Sequence, residues 1–168
     1  GNMMNWGLTI PQAILHAEKY NVDGQLISRE LDGSINSTTY GASIKRSKRL
    51  ANALTKLGVK THDRVATIAW NNSRHFETYF AVSGMGAILH TLNPRYSPDQ
   101  LIYILNHAED SVLIIDPTFI PLVESVQDKL DTVKTIIIAS SKEAIPENNL
   151  NNPLSYEELI NDELDEFD

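Results

Sequence analysis

Cysteine is missing from all 168 residues, which excludes disulfides, thiolate nucleophiles and zinc–thiolate sites. Long apolar runs are missing as well. None approaches the roughly 20 residues that cross a bilayer, and the N-terminus lacks the basic and apolar regions of a signal peptide. With no export signal, the expected location is cytoplasmic. No segment ends in the Gly-Lys-Ser/Thr of a phosphate loop. The pair Gly84 and Gly86 lacks a third glycine and sits late in a predicted helix. A phosphate cradle needs a strand-to-helix turn with free N–H groups at the helix start. Basic residues are absent from the end of the chain: residues 143–168 carry 9 acidic side chains and no basic ones, against 13 acidic and 14 basic in residues 1–142. The net charge of −8 therefore belongs to the tail, and such a chain is a poor counter-ion for nucleic-acid phosphates.

What is present fits one domain with a real core. The length suits burial of roughly 70% of the unfolded surface. Residues 3–20 predict a short helix after Thr9-Ile10-Pro11, with Ala13, Ile14 and Ala17 inward. Gln25 to Arg29 and Asn36 to Tyr40 flank Asp32-Gly33 as a hairpin. A basic amphipathic helix follows and ends at Gly58. In it, Ile44, Leu50, Ala51, Leu54 and Leu57 recur at helical spacing, so Lys45, Arg46, Lys48 and Arg49 read as its solvated face. Arg64 to Trp70 predicts a strand, and Ser73 caps a helix with Phe76, Tyr79, Phe80, Ser83 and Ala87 on one face. The glycines near its end suggest close approach by neighbouring backbone.

Asn93-Pro94-Arg95-Tyr96 is a turn, and Ser97-Pro98-Asp99-Gln100 opens a helix with a capping box. Val112 to Ile115 and Thr135 to Ala139 are buried strands, joined by a helix with Ile120, Val123, Val126 and Leu130 inward. Pro146 to Pro153 is irregular, Ser155 to Glu158 makes a second capping box, and Asp162 to Asp168 reads as frayed or severed. The alternation predicts an α/β fold with a mainly parallel sheet flanked by helices and an N-terminal hairpin. Residues 1–141 form the α/β unit; residues 142–168 form an acidic, partly irregular segment.

Catalytic constellations are scarce. The five histidines show no metal-ligand spacing with carboxylates. His75 follows a strand whose carboxyl end is a usual place for ligands in open α/β sheets, yet a solvated first-turn residue is the favoured explanation, because no constellation stands beside it. Glu109 and Asp110 read as a solvated helix end. Arg95 is the one candidate contact for an anionic cofactor, because its fork suits phosphate groups; the favoured reading of the residue by itself is a surface arginine whose stem packs on Tyr96, since one arginine without partners is a weak anion site.

Thr39-Tyr40, Arg49 to Leu54, Gly58-Val59, Asp63 to Ala66, Tyr79 to Val82, Gly86 to Ile88, Asn93-Pro94 and Leu101 to Leu105 fall in a familiar order. Together they resemble the N-terminal part of the adenylate-forming acyl-CoA synthetases, a superfamily that includes firefly luciferase and peptide-synthetase adenylation domains. Trp70-Asn71, Met85 to Ala87 and Leu92 to Arg95 are most similar to medium- and long-chain fatty-acid CoA ligases. One departure is His62, which stands where the family usually has glycine before Asp-Arg-Val. Another is Gly41-Ala42 in place of Ala-Glu.

The resemblance implies a two-step reaction in the full-length enzyme. A fatty acid and ATP give an acyl-adenylate, and coenzyme A then displaces AMP, with Mg2+ assisting the phosphates. It also implies a scaffold role for this region, a homodimer in some members and peripheral membrane association. It makes Arg95 the residue to contact coenzyme A. The Ser/Thr/Gly-rich loop, the acidic magnesium ligand and the catalytic lysine of the family have no counterpart in residues 1–168, so these residues alone are expected neither to bind ATP tightly nor to make acyl-CoA. The acidic stretch Glu157 to Asp168 resembles the segment leading up to that loop, and Gly1-Asn2 before Met3 reads as a tag remnant. Two alternatives stand beside this reading: an adenylating domain that loads an acyl carrier protein, and a stand-alone α/β binding module without catalysis.

Overall fold

The computed structural model describes residues 25–29, 35–69 and 73–167. The expected helix within residues 3–20, the Asp32-Gly33 turn and Trp70 lie outside them. Strands β1 (Gln25–Arg29) and β2 (Ile35–Thr39) pair antiparallel, Gln25 opposite Thr39 and Arg29 opposite Ile35. Tyr40 starts helix α1 (Tyr40–Lys56) rather than ending the strand.

The body is a five-stranded parallel sheet in the order β4-β3-β5-β6-β7. Its strands are β3 (Arg64–Ile68), β4 (Ile88–Thr91), β5 (Val112–Ile115), β6 (Thr135–Ile138) and β7 (Leu154–Ser155). Between them run α2 (Ser73–Gly84), α3 (Pro98–Ala108) and α4 (Ile120–Val126), with α5 (Tyr156–Asn161) after β7. The pleat sorts side chains strictly by parity. Val65, Val112, Ile114, Ile137 and Ala139 face α1, α2 and α5, where they meet Leu50, Leu54, Ala81, Val82 and Ile160. Ala66, Ile68, Leu113, Ile115, Ile136 and Ile138 face α3 and α4, against Leu101, Leu105, Val123 and Val126. Two cores thus sandwich the sheet, and β5 and residues 136–138 of β6 read as unbroken apolar runs because both faces are covered.

The sequence reading had no strand at 88–91. β4 is an edge strand whose residues are exposed or half-buried, so its sequence Ile-Leu-His-Thr lacks the continuous apolar signal of its neighbours. The face assigned to α2 also differs. Its buried residues are Ser73, Glu77, Thr78, Phe80, Ala81, Val82 and Gly84, while Phe76 and Tyr79 are half-buried. This helix packs beside α1 on one face of the sheet, and its buried positions carry small and hydrogen-bonded side chains more than large apolar ones. It stops at Gly84; Gly86 has φ +80° and forms the turn into β4, not a helical contact.

Capping follows the sequence closely. Ser97 accepts from the Gln100 N–H at 3.2 Å, and Gln100 Oε1 accepts from the Ser97 N–H at 2.9 Å. Pro98 sits at the start of α3. At α5 one half of the expected box is present among the described residues: Ser155 accepts from the Glu158 N–H at 3.2 Å, without the return bond from the Glu158 side chain. Gly58 ends α1 with φ +96°. His62 also lies in the left-handed region, with φ +74°, and its N–H donates to the Gly86 carbonyl at 2.9 Å. A side chain there costs roughly 1–2 kcal/mol relative to a residue without Cβ. His62→Gly should therefore raise the urea midpoint, offset in part by the greater freedom of glycine in the unfolded chain. An unchanged or lower midpoint would show that the imidazole makes a compensating contact.

Candidate functional site

Strand order reverses between β3 and β5. β3 hands the chain to α2 on one face of the sheet, and β5 hands it to α4 on the other. The two connections diverge, and in open α/β sheets the crevice left outside the carboxyl ends at such a point is the usual ligand site. Here it is walled by Thr67 and Ala69 of β3 and its exit, Arg74, His75 and Thr78 of α2, and Ile114 and Asp116 at the end of β5. The Asp116 N–H donates to the Ile68 carbonyl at 3.1 Å, tying the two strand ends together. Its side chain is buried. Burial lowers the pKa of His75 and favours the neutral imidazole. His75 is thus a half-buried wall residue, not the fully solvated first-turn residue that a bare sequence allows. The enclosed volume is about 10 Å³. Ligand pockets run to roughly 300–1,000 Å³, so no nucleotide or acyl chain fits between these walls.

Arg95 lies at the same end of the sheet. Leu92 N–H donates to the Thr67 carbonyl at 2.8 Å, which carries the chain just past β4 into the Asn93–Tyr96 turn. That turn is closed by Asn93, whose Oδ1 accepts from the Arg95 N–H at 2.9 Å. The Arg95 side chain is exposed. β4 is the edge strand, and among the described residues no hydrogen bond or ion pair joins Arg95 to the crevice. The structure therefore brings Arg95 and His75 to one end of the sheet but not into one cluster.

The strongest electrostatic feature was not legible as a motif. Glu77 of α2 is only 1% exposed. Its Oε2 accepts from Arg46 Nε at 2.7 Å and its Oε1 from the Tyr156 hydroxyl at 2.9 Å. The Arg46 guanidinium also makes a two-pronged bond to Glu157, at 3.0 and 2.7 Å, and Arg74 Nε donates to Glu157 at 2.9 Å. Burial pushes Glu77 above the ordinary carboxylate range, with the Arg46 and Tyr156 bonds opposing it. At Glu157 burial also pushes upward, but the Arg46 and Arg74 bonds outweigh it and the net shift is down. Burial likewise opposes the charge on Arg46, yet its bonds to Glu157 and Glu77 win and hold it protonated.

This corrects the solvated-face reading of the basic helix at Arg46 and Arg49, while Lys45 is exposed as that reading expects. Arg46 pairs inward, Arg49 pairs with Asp165, and Lys56 Nζ pairs with Glu163 at 2.9 Å. Asn52 Nδ2 donates to the carbonyls of Leu164 and Glu166 at 3.0 and 2.8 Å. Residues 162–167 are therefore not frayed; they lie along α1, and Phe167 packs against the core beside it. A second correction concerns the end of α3. Glu109 is exposed in a left-handed cap, but Asp110 is fully buried, with Oδ2 2.7 Å from His90 Nδ1. Twenty residues separate the pair, so no local spacing could signal it.

Among the described residues, no three His, Asp or Glu side chains stand together as a metal site would need. The magnesium implied by the resemblance finds no donor set in them. Among the same residues, no helix is long and apolar enough to cross a membrane. The arrangement is a rigid sheet end with a narrow crevice, locked from behind by an ionic clamp.

Comparison with known proteins places this fold. The chain is 42% identical over 160 residues to a 3-methylmercaptopropionyl-CoA ligase of Ruegeria lacuscaerulensis, covering 95% of this chain and 30% of the relative. It is 47% identical over 141 residues to a long-chain-fatty-acid–CoA ligase of Thermus thermophilus, covering 84% of this chain and 25% of the relative. Among solved structures, the anthranilate CoA ligase AuaEII in complex with anthranoyl-AMP superposes with a TM-score of 0.79 at 20% identity. That match covers 98% of this chain and 31% of the other and speaks for the fold alone. The chain spans about 30% of the length of the first of these curated relatives. The sequence pattern of the AMP-binding enzymes matches residues 16–166, and the chain belongs to that family.

Proposed function

We propose that these residues are the amino-terminal supporting part of a fatty-acid CoA ligase, in which residues 1–141 form the scaffold and residues 142–168 lead toward the phosphate loop. The full-length enzyme joins a fatty acid to ATP, releasing pyrophosphate, and then passes the acyl group from AMP to the coenzyme A thiol. The observation that carries this reading is the level of identity to CoA ligases along most of the chain, 42% and 47% in two relatives. The fatty-acid part rests on the long-chain relative and on a medium-chain-fatty-acid–CoA ligase of Ectopseudomonas oleovorans, 38% identical over 160 residues.

Within this reading the sheet end is a platform. Its strands are fixed by two cores, and its crevice is too small for substrate, so ATP and the acid are held by parts of the enzyme beyond these residues. Arg95 is the exception. It stands exposed past the carboxyl end of β4, where a permanently charged fork can reach a phosphate of coenzyme A.

Assaying the full-length enzyme with ATP, coenzyme A and a panel of acids tests the proposal. Octanoate and palmitate should give acyl-CoA and AMP, whereas the 168 residues alone give neither. Preference for 3-methylmercaptopropionate would overturn the fatty-acid assignment, and absence of any acyl-CoA would overturn the ligase itself. Arg95→Ala should raise the KM for coenzyme A several-fold with the KM for ATP unchanged. An unaltered value would leave Arg95 a surface residue.

A further inference from the structure

The crevice between β3 and β5 contains a buried hydroxyl with nothing to bond to. Thr67 is 1% exposed, and its Oγ1 has no hydrogen-bond partner among the described residues. A buried hydroxyl left unpaired is costly, and native structures almost always satisfy such groups with protein or with ordered water. The void beside it measures about 10 Å³, near the minimum that admits one water molecule and far too small for any larger ligand.

Its walls are polar enough to hold that molecule. The Thr78 hydroxyl donates to the Arg74 carbonyl at 2.8 Å and also bonds with the Tyr156 side chain, and an oxygen with two lone pairs still has a place for one more donor. Asp116, buried at the end of β5, offers a carboxylate with acceptor positions in excess of any single bond. Two to four polar partners are what a buried water needs. We propose that the crevice binds one ordered water, bonded to the Thr67 hydroxyl and shared with Thr78 and Asp116. This water joins β3, α2 and β5 at the point where their connections diverge. It makes the crevice a filled structural joint rather than an entrance for substrate.

Thr67→Val tests the assignment, because valine keeps the shape of threonine and removes the hydroxyl. With water in the void, the variant strips that water of a partner, and the melting temperature of the 168-residue chain falls by about 2–4 °C. With a dry void, the same change relieves an unpaired hydroxyl, and the melting temperature stays level or rises. Thr67→Ser keeps the hydroxyl and should retain the water. A direct readout stands beside the melts: a long-lived water cross-peak to the amide protons around the void, seen by NMR in the unaltered chain and in Thr67→Ser. Absence of that cross-peak in the unaltered chain overturns the proposal whatever the melts show, and should Thr67→Val fail to fold, the cross-peak alone decides.

Discussion

Arg46→Ala should lower the unfolding free energy by about 3–5 kcal/mol, the range seen when one partner of a buried ion pair is removed. The cost arises less from the lost bonds than from what remains. Glu77 is 1% exposed and, among the described residues, would keep only the Tyr156 hydroxyl as donor, with Arg46 gone from 2.7 Å away. Glu157 fares better, since it is more exposed and retains Arg74 at 2.9 Å. The double variant Arg46→Met with Glu77→Leu should recover much of the loss, because an apolar pair removes the stranded charge together with its partner. Urea unfolding of the three proteins measures both effects. A loss below about 1 kcal/mol for Arg46→Ala would mean that water reaches Glu77 and that the clamp is a surface feature.

Tyr156→Ala comes next, with an expected loss of about 3–5 kcal/mol. Tyr156 is fully buried beneath α1 and α2, and its hydroxyl supplies one of the two donors to Glu77. It stands at the start of α5, immediately before Glu157 and the acidic segment. Losing the ring opens a cavity in the core and loosens the anchor from which residues 157–167 run back along α1. Hydrogen exchange should therefore quicken in residues 156–161 more than in β5. Tyr156→Phe separates the two contributions: it keeps the ring and removes only the hydroxyl, at a cost of about 1–3 kcal/mol. Uniform exchange across the sheet in Tyr156→Ala would show that the segment is not held by this residue. Tyr156 and Arg46 share Glu77, so their losses should not add.

Much of the architecture could be read from residues alone. The runs at Val112–Ile115 and Thr135–Ile138 announced doubly covered strands because both faces select apolar side chains. Ser97 to Gln100 announced the start of α3 because capping is local chemistry. The unusual histidine at 62 was visible as a departure from a family pattern, and its φ of +74° supplies the reason for glycine there. What escaped was whatever depends on distant partners. β4 pairs on one side only, so its sequence carries half a signal. Glu77 carried no signal of its own, because helical periodicity cannot register Arg46, thirty-one positions away, or Tyr156, seventy-nine away. The tail and the basic helix each showed a one-sided charge, and their complementarity was open to inspection; only the fold brings them within contact. The crevice was legible in part. His75 was placed after the right strand, but Thr67 and Asp116 lie inside apolar stretches and give no sign of facing one void.

The divergence of the β3 and β5 connections has a consequence for how such a platform can change over generations. Hydrogen bonds between the strands run through residues 64–68 and 112–115, whereas the crevice wall is completed by the segments that leave them. Insertions or exchanges in those departing segments alter the mouth without shifting the ladder register or either core. Innovation and architecture are thereby assigned to separate stretches of chain, so sequence drift at the rim need not be matched by repair in the interior.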